Sequence, residues 1–582
     1  MTVNLSVAEK TPACTHYRNY QPAQNHFRVQ SDCAMFMNPK THMMKLFSTA
    51  TYLYLLLAAM VLSPFLSLGK DPYPVNKNLD VLHYTFHLEL NDSTDIISGK
   101  TEITLALKNN IKSFEIDLVG KKPDGTGMTV TSVGPAVLVE SFEQLNGDRV
   151  RINLKNSGEK NIQITIEYTG KPGDGLIIGK NKFGDRAFFG DNWPDRGHHW
   201  LACIDHPSDK ATVSFSVTAP DHYQVVATGA LREETAIDKG RKITRYAETV
   251  PVPVKVMTMG AARFAVKHTG PVQGVPTSIW VYPQNRDAGF SDFEPETRVI
   301  RFFMDQVGPY SFSKLAHVQS KTRWGGLENA GNIFYFENSV TGKGQIENLI
   351  AHETAHQWFG NSVTENDWHH VWLSEGFATY FTHLYNEWIY GNDKRKAGME
   401  RDRTNILKHE LLPKSPVVDT TIRDIGKVLS IITYQKASFV LHMLRKEVGD
   451  KAFFSGVRNY YAQFQNSNAM TSDFRQAIEK ACGEPLDWFF NQWIFKPGAP
   501  DIQVTWEYRT EEKALRLKVR QTGPEVFRFR LEAAIGDSGT EALEIGQREE
   551  IFTIKTAKKP ASVTLDPGVN LLFSGKIAEG KL

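Results

Sequence analysis

The H-E-T-A-H motif at residues 352–356, followed downstream by Glu375, constrains this chain more than any other feature. On a helix, residues four positions apart share a face, so His352 and His356 can direct their imidazole nitrogens at one ion. Glu375 lies far enough along the chain to return on a second helix. Two histidines and one carboxylate, with one coordination position left open, form a catalytic type of zinc site. The sequence therefore predicts two packed helices around one Zn²⁺ ion, with Glu353 beside it and free to act on water.

Two further clusters carry residue types suited to the same site. Residues 323–330 read R-W-G-G-L-E-N-A, and the paired glycines, Gly325 and Gly326, would let the backbone approach a ligand closely. Glu328 would direct a carboxylate at that ligand. Tyr434 stands at the start of a predicted helix. Each cluster alone is also compatible with an ordinary turn or core residue, and the histidine motif alone also occurs on exposed helices. Together they indicate one site.

The length and composition are those of a large globular protein. A chain of 582 residues predicts roughly three or four domains. The hydrophobic fraction of 41% and the charged fraction of 23% are ordinary for folded proteins. A net charge of +2 gives no electrostatic reason for nucleic-acid binding. We therefore exclude nucleic acid as a partner.

Residues 1–75 are interpreted as a leader that lies outside the fold. Lys45, the apolar run 46–62 and the small residues before Lys70 are typical of a signal peptide at about residues 43–69. This pattern predicts an exported protein, either periplasmic, extracellular or at the cell surface. Translation would then start near residue 43, and the stretch before it would be a mis-annotated start. Alternatively, the leader stays uncleaved and anchors the protein in a membrane. We expect membrane association only in that case.

Three regions follow the leader, and the predicted fold class is multidomain α+β. Apolar residues alternate with polar ones from residue 76 to 265, which predicts an N-terminal antiparallel β domain. Residues 266–496 have mainly helical periodicity and contain all three clusters. Alternation returns within residues 500–575, which predicts a small C-terminal β-sandwich. An apolar stripe after the predicted zinc carboxylate is interpreted as helix core: Phe377, Tyr380, Phe381, Leu384, Tyr385 and Trp388.

In combination, these motifs resemble the zinc aminopeptidases of the aminopeptidase N family. These are gluzincin metallopeptidases, and leukotriene hydrolase belongs to the same group. The resemblance covers about residues 76–570 and adds three motifs in the same order: residues 199–212, Gln357-Trp358-Phe359-Gly360-Asn361, and Trp493 ahead of Pro497-Gly498. It implies a thermolysin-like catalytic domain and an enzyme that removes the N-terminal residue from peptides with a free N-terminus.

The resemblance also implies a role for each candidate residue. His352, His356 and Glu375 would hold one Zn²⁺ per chain, and Glu353 would be the general base for a zinc-activated water. Tyr434 would donate a hydrogen bond to the oxyanion that develops during hydrolysis. The remaining candidates would bind substrate, either through its α-ammonium group or along its backbone: Glu328, Gly325, Gly326, Asn329 and, from the N-terminal region, Asp191 or Asn192.

Some positions depart from the family pattern. Leu327 stands where the family usually has Met, and Ala437 where it often has Gly. Ser374 replaces the usual Asn before Glu375, which is expected to change how that carboxylate is oriented. The chain resembles a bacterial-type member without the large C-terminal helical domain of many relatives, so we expect a more open cleft. The sequence leaves the oligomeric state open.

Two other classes of function remain as alternatives. The same zinc site would support endopeptidase or epoxide hydrolysis, although Glu328 has no evident use in a plain endopeptidase. A peptide-binding scaffold without catalysis is the other alternative. Members that lose catalysis typically lose a zinc ligand or the base, whereas both histidines, Glu353 and Glu375 are all present here.

Overall fold

The structure is a computed structural model, and it describes residues 73–155, 160–238 and 240–582. The predicted leader therefore lies outside the described residues, apart from positions 73–75. Within the described ranges, no helix is long and apolar enough to cross a membrane.

The first region consists of short strands, as the alternating pattern predicts. In chain order they are β1 (Leu79–Glu89), β2 (Ile97–Leu107), β3 (Ser113–Asp117), β4 (Gly127–Gly134), β5 (Val139–Leu145), β6 (Arg149–Leu154), β7 (Asn161–Lys171), β8 (Leu176–Lys180), β9 (Arg186–Gly190), β10 (Lys210–Pro220), β11 (Gln224–Ala227), β12 (Ala230–Ala236), β13 (Arg241–Pro253) and β14 (Met259–Ala262). Seven of them form one sheet in the order β12-β13-β10-β1-β2-β7-β4. All its pairs are antiparallel except β1 with β10, which is parallel.

Alternation in sequence becomes alternation in burial along these strands. In β2, Ile103 and Leu105 are fully buried while Thr104 between them is half-buried. Each such aliphatic side chain removed from water contributes roughly 1.5–3 kcal/mol to folding. The sheet is therefore stabilised by burial of an apolar face.

The second region combines a mixed sheet with helices. Its strands are β15 (Ala265–Val272), β16 (Val275–Val281), β17 (Leu315–Ser320), β18 (Gly326–Leu327), β19 (Asn332–Phe336), β20 (Val363–Glu365) and β21 (Ser467–Ala469). Its helices are α1 (Arg286–Asp292), α2 (Glu296–Gln306), α3 (Glu347–Ala355), α4 (Trp372–Tyr390), α5 (Asn392–Lys408), α6 (Ala437–Val448), α7 (Asp450–Phe464), α8 (Thr471–Cys482) and α9 (Asp487–Trp493).

The mixed sheet has the order β15-β16-β17-β19-β18, and its antiparallel edge strand β18 carries the glycine pair's second member, Gly326. The mainly helical periodicity of this region does not predict this five-stranded sheet. Its central strand β17 is buried along its whole length, so it lacks the alternation that identifies a half-buried strand. The chain passes from one sheet to another between β14 and β15.

The apolar stripe after Glu375 lies on α4, as predicted. Five of its six side chains are buried. The exception is Trp388, which is 50% exposed near the end of the helix. Helical spacing places Trp388 on the stripe that faces the core. The core does not extend to the end of α4, so this side chain is exposed.

The last region has seven strands in two sheets. They are β22 (Asp501–Arg509), β23 (Ala514–Gln521), β24 (Phe529–Ile535), β25 (Thr540–Ile545), β26 (Glu549–Lys555), β27 (Val563–Leu565) and β28 (Ser574–Glu579). The sheets have the orders β26-β23-β22-β28 and β25-β24-β27. Two sheets with alternating burial match the arrangement that a small β-sandwich requires. Strand β28 runs to Glu579, past the predicted domain end at residue 575.

Candidate metal centre and substrate cavity

Helices α3 and α4 pack against each other and bring the three predicted metal ligands together. His352 lies in the last turn of α3, His356 directly follows its end, and Glu375 lies in the first turn of α4. The two histidine Nε2 atoms are 3.2 Å apart. Glu375 Oε2 lies 3.5 Å from Nε2 of His352 and 3.3 Å from Nε2 of His356. Three ligand atoms therefore face one point.

This triangle fits a zinc ion. Tetrahedral coordination at about 2.0–2.1 Å places neighbouring ligand atoms about 3.3–3.4 Å apart, which matches all three observed separations. Glu375 Oε2 is buried and has no hydrogen-bond partner among the described residues. Burial lowers the pKa of His356, whereas the nearby carboxylates, Glu375 foremost, raise it, and a bound cation would take the place of the proton that they attract. The site thus carries an excess of negative charge that a divalent cation would neutralise.

Ser374 orients His356 rather than Glu375. Its Oγ lies 2.9 Å from Nδ1 of His356 and 3.2 Å from the Phe359 carbonyl oxygen. The same Nδ1 is 3.1 Å from that carbonyl oxygen. Nδ1 therefore carries the proton and donates it, which leaves the Nε2 lone pair for a metal. The expectation that Ser374 acts through Glu375 is wrong, because its hydroxyl points at the histidine.

Gly360 shapes the turn that makes this contact available. Its φ of +123° lies in a region that L-residues avoid. A Cβ at this position would also overlap the hydroxyl of Ser374. The turn between α3 and α4 therefore needs glycine for both its backbone conformation and its close packing.

Glu353 is buried beside the histidines and against the edge strand β18. A Cβ on Gly326 would overlap its carboxylate, so glycine is required there for close approach. Burial, together with the charges of Glu328 and Glu375, raises the pKa of the Glu353 carboxyl. The carboxylate is thus close to the metal triangle without being one of its ligands.

Glu328 is held firmly, yet one of its carboxylate oxygens is free. Its backbone carbonyl accepts hydrogen bonds from Gln357 Nε2 at 2.9 Å and from Asn361 Nδ2 at 2.5 Å. Its side chain is buried, and Oε1 has no hydrogen-bond partner among the described residues. A buried, unpaired carboxylate oxygen is costly unless a ligand satisfies it. Glu328 is therefore suited to a cationic group of a ligand.

Tyr434 lies in a short π-helical segment, Ile432–Lys436, immediately before α6. Lys436 N donates a hydrogen bond to the Ile431 carbonyl oxygen, five residues earlier, at 3.0 Å. This five-residue spacing is that of a π-helix. The phenol ring stacks on the His352 imidazole with ring centroids 6.0 Å apart. Burial and the surrounding carboxylates raise the pKa of Tyr434, so its hydroxyl keeps its proton and can donate it in a hydrogen bond.

These residues line one small cavity of about 60 Å³. Its polar lining consists of Glu328, His352, Glu353, His356, Glu375 and Tyr434. Its apolar lining consists of Trp193, Trp324, Leu327 and Leu429, and Gly326 completes the cavity. Gly325 and Asn329, which we also predicted to bind substrate, do not line it. The Asn329 side chain is fully buried, and neither of its polar atoms has a partner among the described residues.

The structure contradicts a direct amine contact by Asp191 or Asn192. Both are fully buried. The Asp191 carboxylate accepts hydrogen bonds from Arg196, from the Thr322 hydroxyl and from the Arg323 backbone. The Asn192 amide is likewise saturated by neighbouring groups. Their polar atoms are thus engaged in holding loops together.

Sequence reasoning missed the neighbour of these two residues. Trp193 reaches the cavity, where its ring makes an edge contact with Trp324 at a centroid distance of 6.5 Å. Trp368 packs against its other side at 5.5 Å. Two tryptophans in candidate ligand segments were a usable indication, but nothing in the sequence shows that they meet.

Two family models match the chain. The Peptidase M1 N-terminal domain matches residues 81–254, and the Peptidase family M1 domain matches residues 292–493. Together they cover more than half of the chain. Glutamyl aminopeptidase from Sus scrofa is 27% identical over 63% of this chain and 40% of its own length. Probable aminopeptidase 2 from Sulfurisphaera tokodaii is 25% identical over 72% of this chain and 54% of its own length.

The chain spans about half the length of these curated relatives. A solved structure, Legionella pneumophila aminopeptidase A in complex with aspartic acid, superposes with a TM-score of 0.74. It is 18% identical, and the match covers 87% of this chain and 61% of that one. At this identity the likeness shows a shared fold. The family models, the shared fold and the triangle of metal ligands agree: this chain is a member of peptidase family M1.

Proposed function

We propose that the protein is a zinc aminopeptidase that hydrolyses the first peptide bond of peptides with a free N-terminus. The observation that carries the proposal is the pairing of two features in one cavity. One is the triangle of His352, His356 and Glu375, whose dimensions suit zinc. The other is the unpaired, buried carboxylate oxygen of Glu328, which suits an α-ammonium group. The names of the relatives support the same activity.

His352, His356 and Glu375 would hold the ion. When bound, zinc lowers the pKa of water and polarises a carbonyl group. Glu353 accepts the proton from the attacking water and passes it to the leaving amine, a role that its position beside the histidines allows. Ser374 keeps His356 in the tautomer that presents Nε2 to the metal.

Tyr434 and Glu328 orient the substrate. The Tyr434 hydroxyl donates a hydrogen bond to the carbonyl oxygen as negative charge develops on it. Glu328 pairs with the substrate's α-ammonium group, and this fixes the scissile bond one residue from the end. A substrate with a blocked amine would leave the Glu328 carboxylate unpaired in a closed site, which disfavours its binding.

The test is hydrolysis of aminoacyl-naphthylamides compared with the same compounds N-acetylated, using protein whose zinc content is measured. Cleavage of the free-amine panel alone, lost on chelation and restored by zinc, supports the proposal. Equal cleavage of the acetylated panel would instead favour an endopeptidase. Bound zinc without cleavage of either panel would favour a peptide-binding scaffold.

Export belongs to the proposal as well. It is supported by the apolar run and small residues between positions 43 and 69, which lie outside the described residues. N-terminal sequencing of protein isolated from the producing cells tests it. A mature chain that starts near residue 70 agrees with cleavage, and a chain that retains residues 46–62 in the membrane fraction indicates an anchor.

A further inference from the structure

The apolar lining of the cavity has no role in the chemistry proposed above. Trp193 and Leu327 are buried, at 3% and 2% exposure, whereas Trp324 remains 42% exposed. Trp193 and Leu327 belong to an apolar cluster that also includes Phe189, Phe334 and Trp368. The indole and leucine surfaces are therefore fixed by a packed core, while Trp324 and half-buried Leu429 remain partly open.

The charges around the cavity are unbalanced. Among the described residues that line it, none is a lysine or an arginine, whereas three are glutamates. The two arginines closest in sequence to the tryptophans are already paired. Arg323 makes a two-pronged contact with Asp174, at 3.1 and 2.6 Å. Arg196 contacts Asp191 and lies 3.5 Å from Asp174. Within the described ranges, both of these arginines are therefore engaged by carboxylates and neither lines the cavity.

We propose that the apolar lining is the pocket for the side chain of the substrate's first residue, and that the enzyme selects large apolar residues and rejects acidic ones. The proposal rests on the aminopeptidase function and adds its substrate class. Glu328 fixes the α-ammonium group and the metal triangle fixes the scissile carbonyl. The remaining substituent on the same α-carbon is then directed to the rest of the cavity, which is apolar.

An acidic side chain would be disfavoured in this pocket. It would lose hydration against indole and leucine surfaces without gaining a cation as partner. The selectivity would thus differ from that named in the relatives called glutamyl aminopeptidase. A large apolar side chain gains contact with Trp193 and Trp324 and adds no charge.

The first test is kcat/KM for naphthylamides of leucine, phenylalanine, alanine, lysine, glutamate and aspartate. Leucine is expected to exceed alanine by about 10-fold or more, and to exceed glutamate by about 100-fold, because the buried charge gains no partner. A glutamate or lysine substrate that is cleaved faster than leucine would overturn the proposal while leaving the aminopeptidase function intact. If none of the six substrates were cleaved, the proposed aminopeptidase function itself would be contradicted.

Two variants, Trp324→Ala and Leu429→Arg, test where the pocket lies. Trp324→Ala should lower kcat/KM for leucine and phenylalanine by about 10-fold while changing alanine little, since only long side chains reach the indole. Trp388→Ala, which removes an exposed tryptophan from the end of α4, is the matched control and should leave all ratios unchanged. Equal losses for leucine and alanine in Trp324→Ala would show that the residue is not part of the pocket.

The second variant seeks a gain rather than a loss. Leu429→Arg places a cation at the half-buried edge of the apolar lining and should raise the glutamate-to-leucine ratio by about 10-fold or more. Leu429→Met keeps size and polarity and should preserve the ratio. An unchanged ratio in a folded, active Leu429→Arg protein would contradict the assignment. Inhibition by the free amino acids gives a readout apart from turnover, with leucine expected to bind more tightly than glutamate.

Discussion

The polar and apolar linings of one cavity arise from the sequence in different ways. Most of the polar lining comes from two consecutive helices, α3 and α4, in which helical spacing already places the side chains. The apolar lining comes from three segments far apart in the chain, at Trp193, at Trp324 with Leu327, and at Leu429. The proposed metal ligands and base are thus placed mainly by local helical spacing, whereas the proposed selectivity depends on how separate segments meet. The following predictions separate the two linings.

Replacing Glu353, the proposed general base, should have the largest effect. Glu353→Gln keeps the size of the side chain but cannot accept a proton, so kcat should fall by about 10³-fold or more. Zinc content should stay at wild-type level, because Glu353 is not one of the metal ligands. Activity and metal analysis on the same sample check this. Glu410→Gln, an exposed glutamate, serves as the control, and substantial activity in Glu353→Gln would contradict the assigned role.

Removing the amine anchor should come next. Glu328→Ala should lower kcat/KM for free-amine substrates by about 10²-fold, because the α-ammonium group loses a charged partner in a buried site. The preference for leucine over alanine should survive, since the apolar lining is intact. Measuring both substrates in both proteins gives the result. If the leucine preference vanished together with the rate, the two linings would not act separately.

Tyr434→Phe should have a smaller effect that is concentrated in kcat. Removing one hydrogen-bond donor to the developing oxyanion lowers kcat by about 10²-fold, with KM nearly unchanged. Steady-state kinetics on one good substrate are sufficient. A rise in KM at constant kcat would mean that the hydroxyl binds the ground state instead.

Ser374→Ala should weaken metal binding by about 10-fold, because His356 loses the partner that fixes its tautomer and orientation. Competition with a chelator of known affinity measures this without reference to activity. Thr382→Ala on the same helix is the control, since its hydroxyl bonds only to the helix backbone at Ala378. Unchanged zinc affinity in Ser374→Ala would show that the Phe359 carbonyl alone orients the histidine.

The smallest effect concerns the loop that follows Trp193. Burial lowers the pKa of His198, but its bond to Asp205 at 2.8 Å outweighs this and raises the pKa to about 9. The resulting stabilisation is fully present below the ordinary pKa of histidine and is lost as pH rises through about 9. Its size is about 1–3 kcal/mol. Chemical denaturation of wild type and His198→Gln at pH 6 and pH 10 tests this, and the difference between the proteins should shrink at the higher pH.

Much of the fold follows from periodicity. The strands around Ile103, Ile164 and Leu517 and the helix after Glu375 were all predicted from alternation or from helical spacing, and they are confirmed. The sheet containing β17 was not predicted, because a strand that is buried on both faces has no alternation to detect. Trp388 was predicted to lie in the core but is exposed, because helical spacing alone does not show where the core ends.

The sequence by itself indicated the candidate metal ligands His352 and His356 with Glu353 beside them, because helical geometry fixes which side chains share a face within a few residues, and its separated motifs indicated the family. Only the tertiary structure decided that Ser374 orients His356, that Asp191 is saturated by its neighbours, and that Trp193 meets Trp324. These contacts join residues that are distant in the chain. They depend on how sheets and helices pack, which no local pattern records.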